Sequence, residues 1–288
     1  MAEIPTSLVV KLRKMSGQGM MDCKKALAES NGDIEEAMAI LRKKGLATLA
    51  KRAERETTQG LVVGRASADG KAAVLASLCC ETDFVANSDD FKSAAEKLAE
   101  YGMASKADEG VENILETTLN GKKFRDVVTE VVSKTGEKME VGDYSRFRLE
   151  GTGLICTYIH FNSKVGTMVE IGTSDAKVAS SDEMKRTGAD IAMHITATKP
   201  LALDKSGIAP KVIEQEKGIY AEQVKNKPAN IVEKIVEGKM KKFYEENCLL
   251  EQKFVKDDTK TVAQVVDESA KAAGGTAKRK RFVRFDVG

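Results

Sequence analysis

Residues 79–91 read CCETDFVANSDDF and hold the side chains whose types and spacing come nearest to chemistry. Cys79 and Cys80 could supply a thiol nucleophile with His160 as its base. The sequence offers neither an orienting third group nor an oxyanion donor to complete such a site, so strand packing accounts for the pair better. Asp83 and Phe84 suggest another chemistry. A carboxylate beside a bulky apolar wedge, presented between a strand and a helix, has the means to attack a magnesium-dependent site on another protein. Phe84 stands alone among Glu81, Asp83, Asn87, Asp89 and Asp90. It either anchors a loop onto the core or waits for a partner, and the residues alone leave both readings open.

Three other stretches invite a site and are weaker. SGQGMMDCKK places two glycines ahead of a lysine-rich helix. A phosphate loop needs four residues between its glycines and then Lys-Ser/Thr, to size the cradle and ligate magnesium. This stretch has neither and reads as an interhelical turn, with Met20 and Met21 as adaptable surface contacts or as core filling. KRKRFVRF near the C-terminus alternates basic and aromatic residues in the manner of a phosphate grip, but one short basic strand reads better as a solvated sheet face. His160 and His194 are the only imidazoles, which argues against a zinc site. His194, between Met193 and Ile195 on a helix, reads as a satisfied, partly buried histidine. No metal and no cofactor is expected.

At 288 residues the chain can bury a sizeable core and divide into two or three domains of ~100 to 200 residues. Its 42% hydrophobic and 31% charged residues exclude disorder, and it has no apolar run of ~18 residues that would span a membrane. The opening MAEIPTSLVVKLRK lacks the features of a secretory or transit segment. The five cysteines are odd in number and lack CxxC spacing, as expected of thiols in a reducing compartment. These features together imply a cytoplasmic protein. A net charge of +2 favours no polyanion.

The elements that must position the candidate residues are legible as periodicities. Residues 1–45 punctuate as three short helices. Leu8, Leu12 and Met15 mark the first, with a stop at Gly17; Asp22 is expected to cap the second, which ends at Asn31-Gly32; Asp33 and Glu36 start the third, which is expected to stop at Gly45. LATLAKRAERETTQG then reads as an exposed connecting helix. From Gly60 the period becomes that of strands: GLVVGRAS, a turn at Asp69-Gly70, and AAVLASLCC. TDFV is expected in a loop, ahead of a helix capped from Asn87, Ser88 or Asp89 that buries Phe91, Ala95, Leu98 and Tyr101. The same order recurs in GLICTYIHF, Asn162-Ser163-Lys164, VGTMVEIG and DEMKRTGADIAMHI. GKKFRDVVTEVVSKTGEK before YSRFRLEG likewise matches TKTVAQVVDESAKAAGGT before RFVRFDVG.

The expected fold is therefore α+β. It comprises an N-terminal three-helix module with its linker (1–55), a β-β-α-α-β unit (56–150) and a second such unit (151–205 with 246–288). Each unit carries a three-stranded antiparallel sheet covered by helices. A helical hairpin (206–245) is inserted in the second unit. Its stripe of Ile231, Ile235, Val236, Met240 and Phe243 raises the expectation of a homodimer through the insert.

TDFV after a strand, SLVVKLRKMSGQGMMDCKKAL with NGDIEEA and LRKKG, and IAMHITATKP together resemble the elongation factor Ts family, and the similarity runs along the whole chain. The resemblance implies a guanine-nucleotide exchange factor for elongation factor Tu, which binds no nucleic acid or membrane itself and catalyses no covalent chemistry. It also implies a ubiquitin-associated-like N-terminal module, a duplicated core and an inserted coiled coil. By resemblance, Thr82, Asp83, Phe84 and Val85 form a loop that intrudes near the partner's magnesium and phosphate site. Arg13, Met20 and Met21 match contacts to its nucleotide domain, and His160 matches a contact to a distal domain. Val10 stands where relatives can carry lysine. Two rival expectations are a nucleic-acid-associated protein using the basic strand and a thiol enzyme using Cys79 and Cys80.

Overall fold

A computed structural model describes residues 4–288 of the chain. It opens with α1 (Thr6–Ser16), α2 (Met20–Glu29) and α3 (Ile34–Lys51), which close over Val9, Leu12, Cys23, Ala26, Leu27, Ala37 and Leu41. Gly17 ends α1 at φ 68°, a left-handed conformation that favours glycine. Asp33 caps α3 by accepting from the Glu36 N–H at 2.8 Å. Asp22 does not cap α2. Gly19 holds that position, and the Asp22 carboxylate in the first turn pairs with Lys44 at 2.6 Å.

Gly45 is no stop either, because α3 runs through it to Lys51. A Cβ at Gly45 would sit 2.6 Å from the Thr129 carbonyl and 3.0 Å from the Ser133 Cβ. The glycine is where α3 crosses closely over a later helix. Of the expected exposed connecting helix (46–60) only residues 46–51 are helical, as the end of α3; the rest is turn and extended chain that leads into the first strand, and Leu49 packs on the core.

The first unit follows as β1 (Gln59–Ala66), β2 (Ala72–Cys80), α4 (Asp83–Ala86), α5 (Asp89–Ala104), α6 (Val111–Glu116), β3 (Thr118–Leu119), β4 (Lys122–Lys123), α7 (Phe124–Thr135) and β5 (Met139–Arg148). The second is β6 (Gly153–Ile159), β7 (Val165–Thr173), α8 (Ala176–Ser180), α9 (Asp182–Thr198), then α10 (Pro210–Gln223) and α11 (Ala229–Asn247), then β8 (Lys253–Phe254), β9 (Asp257–Thr261), α12 (Val262–Ala272) and β10 (Ala277–Asp286). The main sheets have orders β1-β2-β5 and β10-β7-β6, with every pairing antiparallel.

Strand β2 shows how the layers arise. Its side chains alternate, so Val74, Ala76, Leu78 and Cys80 enter a core with α5 and α7, while Ala73, Leu75 and Cys79 enter one shared with the second sheet. A strand buried on both faces reads as a continuous apolar run, which explains AAVLASLCC. The sheets meet through Val62, Leu75, Phe147 and Met168, closely enough that a Cβ at Gly166 would lie 2.6 Å from Val62 Cγ1. The outer face of the second sheet is covered through Ile191, Ile195 and Val266 of α9 and α12.

Helices α10 and α11 pack on each other and on the chain that leads into them. Met240 and Phe243 are buried with Ala202, Ile208 and Cys248, which leaves Ile219 and Ile231 exposed. No described helix is long and apolar enough to cross a membrane.

The Gly45 contact yields a prediction whose sign is informative. Helix propensity alone would favour Gly45→Ala by about 1 kcal/mol, whereas the clash with α7 should destabilise the protein by about 1–3 kcal/mol. Urea unfolding should show the loss, and a gain in stability would mean that α3 and α7 do not approach as described.

Candidate functional site

TDFV forms a single helical turn rather than the expected loop, and its geometry follows from Thr82. This residue is extended (φ −125°, ψ 156°), and its Oγ1 accepts from the Val85 N–H at 3.4 Å, an N-cap for α4. The same hydroxyl donates to Glu137 Oε1 at 2.8 Å, and the Thr82 N–H donates to Glu137 Oε2 at 3.1 Å. The Thr82 carbonyl accepts from the Ala86 N–H at 3.1 Å and from the Cys80 thiol at 3.2 Å. One residue earlier, Glu81 accepts from Arg52 Nη1 at 2.7 and 2.8 Å and from the Lys138 N–H at 2.6 Å. Burial would raise the Glu81 carboxyl, but these donors outweigh it and hold the group below the usual carboxylate range.

The turn therefore has two faces. Ala86 is buried and Val85 is partly buried against the first core, so Val85 serves as an inward anchor. Asp83 is exposed, and Phe84 keeps 85% of its surface in solvent. The choice left open by the sequence falls to the exposed reading, since Phe84 anchors nothing among the described residues.

The α1–α2 turn is fastened to the same end of α7. A Cβ at Gly17 would fall 2.6 Å from Lys134 Cε, and the buried Gln18 amide is placed to donate to the Ser133 carbonyl at 2.8 Å. Lys134 Nζ in turn pairs with Asp90, at the start of α5, at 2.6 Å. SGQG is thus a docking turn with no phosphate cradle. Beside it, Arg13 on α1 and Met20 and Met21 on α2 are exposed, with Met21 at 65%.

His160 is not brought to this place. It follows β6 on the second unit, where its Nδ1 lies 3.0 Å from Asn162 Oδ1 and its ring 4.4 Å from that of Phe161. Sequence reasoning passed over Phe161, which is 90% exposed. Its position just before the Asn162-Ser163-Lys164 turn was the available signal. Glu137 was also missed; the only hint was a carboxylate directly after the helix-stopping Gly136.

The rival chemistries lose their residues to packing. Cys79 and Cys80 point to opposite faces of β2, and burial pushes their thiols up to about 11 and about 12. They are protonated near neutrality and do not face a common substrate. His194 is fully buried, with Nε2 3.0 Å from Gln252 Oε1 and Nδ1 accepting from the Val255 N–H at 3.2 Å, and burial lowers its pKa. Four of the five cations of KRKRFVRF already hold carboxylates: Arg279 holds Asp267, Lys280 and Arg281 share Glu170, and Arg284 holds Asp286. Among the described residues no group of His, Cys, Asp and Glu is arranged to hold a metal ion.

Comparison with known proteins gives one consistent result. A family model described as Elongation factor TS matches residues 81–288. The elongation factor Ts of a Nitratiruptor species is 45% identical over 287 residues, covering 99% of this chain and 93% of that protein. That of Desulfovibrio desulfuricans is 40% identical over 290 residues, covering 100% of this chain and 99% of that protein. That of Clostridium perfringens is 40% identical over 288 residues, with 99% and 93% covered.

The raised thiols predict an alkaline weakness. In the unfolded chain a cysteine ionises near its ordinary 9.0, whereas folded Cys79 holds its proton to about 11 and folded Cys80 to about 12. Their contribution to stability is complete below the unfolded value and is lost as pH rises through the folded ones. Urea midpoints should fall between pH 9 and 11, and less steeply in a Cys79→Ala, Cys80→Ala variant. Equal slopes would place the alkaline loss on other groups.

Proposed function

Since this chain belongs to the elongation factor Ts family and is thus a translation elongation factor, we propose that it is the guanine-nucleotide exchange factor of elongation factor Tu. It binds the GDP-loaded partner, disturbs the magnesium and phosphate site with the Thr82–Val85 turn, and releases GDP so that GTP can enter. The observation that carries this reading is an aromatic side chain 85% exposed at the outer face of a turn that Thr82, Val85 and Ala86 tie down. An unpartnered aromatic held in a fixed place is suited to insertion into another protein.

The mechanism is one of differential binding. GDP is held largely through its phosphates and their magnesium ion. A factor that binds best to the distorted, magnesium-free site weakens GDP by the same ratio as GDP weakens the factor. A ten-thousandfold effect requires ~5.5 kcal/mol of such difference. Phe84 alone is too small a lever for that. Asp83 adds negative charge where the metal and phosphates compete, and broad docking supplies the remaining binding energy. Arg13, Met20 and Met21 on the N-terminal module (1–55), read as ubiquitin-associated-like, meet the nucleotide domain, while His160 on the second core unit meets a distal domain. The factor itself performs no covalent step and needs no cofactor. Its place of action is the cytoplasm, with its partner. The 206–245 insert can add a contact between two copies, through the exposed Ile219 and Ile231 rather than through Met240 and Phe243, which are already packed within the chain.

Stopped-flow release of a fluorescent GDP analogue from elongation factor Tu tests the proposal. The unaltered chain should accelerate release, and calorimetry should detect no GDP binding to the chain alone. Phe84→Ala should lose most of the acceleration while shifting stability by only ~0.5 kcal/mol, as at ordinary surface sites. Asp83→Ala should behave alike, and the two should be non-additive if they act on one site. Full acceleration by the Phe84 variant, or a stability loss of ~3 to 5 kcal/mol as for a buried aromatic, would contradict the wedge.

A further inference from the structure

Among the described residues neither Asp83 nor Phe84 is held by its own side chain, so what fixes their direction must lie beneath the turn. Four residues of helix cannot do this alone, since the first turn fixes three residues for one hydrogen bond and is unfavourable in isolation. We propose that Glu137 is the positioning residue for exchange, and that its carboxylate sets where the Asp83–Phe84 face points. The inference rests on the exchange activity proposed above.

Glu137 is built to be rigid. It follows Gly136, which ends α7 at φ 73°, and its own N–H donates to Thr135 Oγ1 at 3.4 Å. Its two oxygens take the N–H and the hydroxyl of one residue, Thr82. The hydroxyl passes the constraint on by accepting from the Val85 N–H, so a relay runs from the carboxylate through Thr82 to the far end of the turn. Both bonds to Glu137 are charge-assisted, the stronger kind. The next residue, Lys138, fixes Glu81 through its N–H, and Lys134, one turn earlier, fixes Asp90. Residues 134–138 therefore clamp the candidate turn on both sides. Gln18 and Gly17 of the N-terminal module lie against Ser133 and Lys134 of the same stretch. A carboxylate there aligns the turn with the module instead of merely filling a cap.

The experiment separates alignment from stability by resolving rate from affinity. Release of fluorescent GDP from elongation factor Tu is followed over a range of concentrations of the full chain and of Glu137→Ala, Glu137→Gln, Thr82→Val and Thr82→Ser. Loss of both charge-assisted bonds in Glu137→Ala, or of the hydroxyl's bond to Glu137 together with the Val85 cap in Thr82→Val, should lower the limiting rate on the order of tenfold. The half-saturating concentration should stay within about twofold, because the docking surfaces are untouched. Thr82→Ser keeps both donors and should lose less of the rate than Thr82→Val, while Glu137→Gln should fall between the full chain and Glu137→Ala. Amide exchange at Val85 and Ala86 should quicken in the two impaired variants, while exchange at β2 amides stays slow. Unchanged limiting rates with quickened Val85 exchange would overturn the inference, as would equal losses of rate and affinity accompanied by general unfolding. If the unaltered chain fails to accelerate release, the exchange reading falls and this inference with it. If all five proteins accelerate it equally, only this inference falls.

Discussion

A helix of one turn cannot hold its own shape in water, and this constraint governs the candidate site. The turn that carries Asp83 and Phe84 exists because its surroundings supply what it lacks: a cap from Thr82, a carboxylate clamp from Glu137, and inward packing of Val85 and Ala86. The clamp comes from just beyond the end of α7, which is itself positioned by burial of Phe124, Val128 and Val132 against the first sheet. Exposure of an apolar ring and rigidity of its base are thus two sides of one arrangement. The ring, 85% exposed, adds little to stability among the described residues, and the core beneath it makes up the difference.

The duplicated sheets serve the same end at larger scale. Each central strand is buried on both faces, so the two units cannot slide by one residue without turning an apolar set towards the wrong layer. That register fixes the position of β2, from which the turn departs, relative to the β6–β7 hairpin, which bears His160 and Phe161. The Val62 N–H bond to the Ser163 carbonyl, at 2.7 Å, ties that hairpin directly to β1. A face suited to several contacts on one partner needs such a frame, because separate weak contacts add only when their spacing is preset.

What the sequence disclosed was local. Strand alternation, the Asp69-Gly70 turn, the cap at Asp33, the set Asn87, Ser88 and Asp89 from which Ser88 caps α5, and the repeated unit all depend on neighbours a few residues away, and the structure has them. What it concealed depends on distant partners. Gly45 looks like a stop because a glycine that ends a helix and one that lets another helix approach are the same letter; only Thr129 and Ser133 tell them apart. Asp22 looks like a cap until Lys44 comes within reach. Glu137 lies 55 residues from Thr82 in the chain, so nothing near TDFV announces it. The turn itself, and the two-residue strands β3, β4 and β8, are too short for any period to show. The exposure of Phe84 was undecidable in the sequence for a related reason, as anchor and wedge call for the same residue in the same polar stretch.

The central claim is that this chain prefers elongation factor Tu without its nucleotide, and linkage makes that claim measurable at equilibrium. Affinity of the chain for elongation factor Tu would be measured by titration at rising GDP, with magnesium present and absent. The account predicts that GDP weakens the chain by the same factor by which the chain weakens GDP, and that magnesium enlarges the effect. Binding of equal strength to the nucleotide-free and GDP-loaded partner would contradict it, since a ligand with no preference between two states shifts neither.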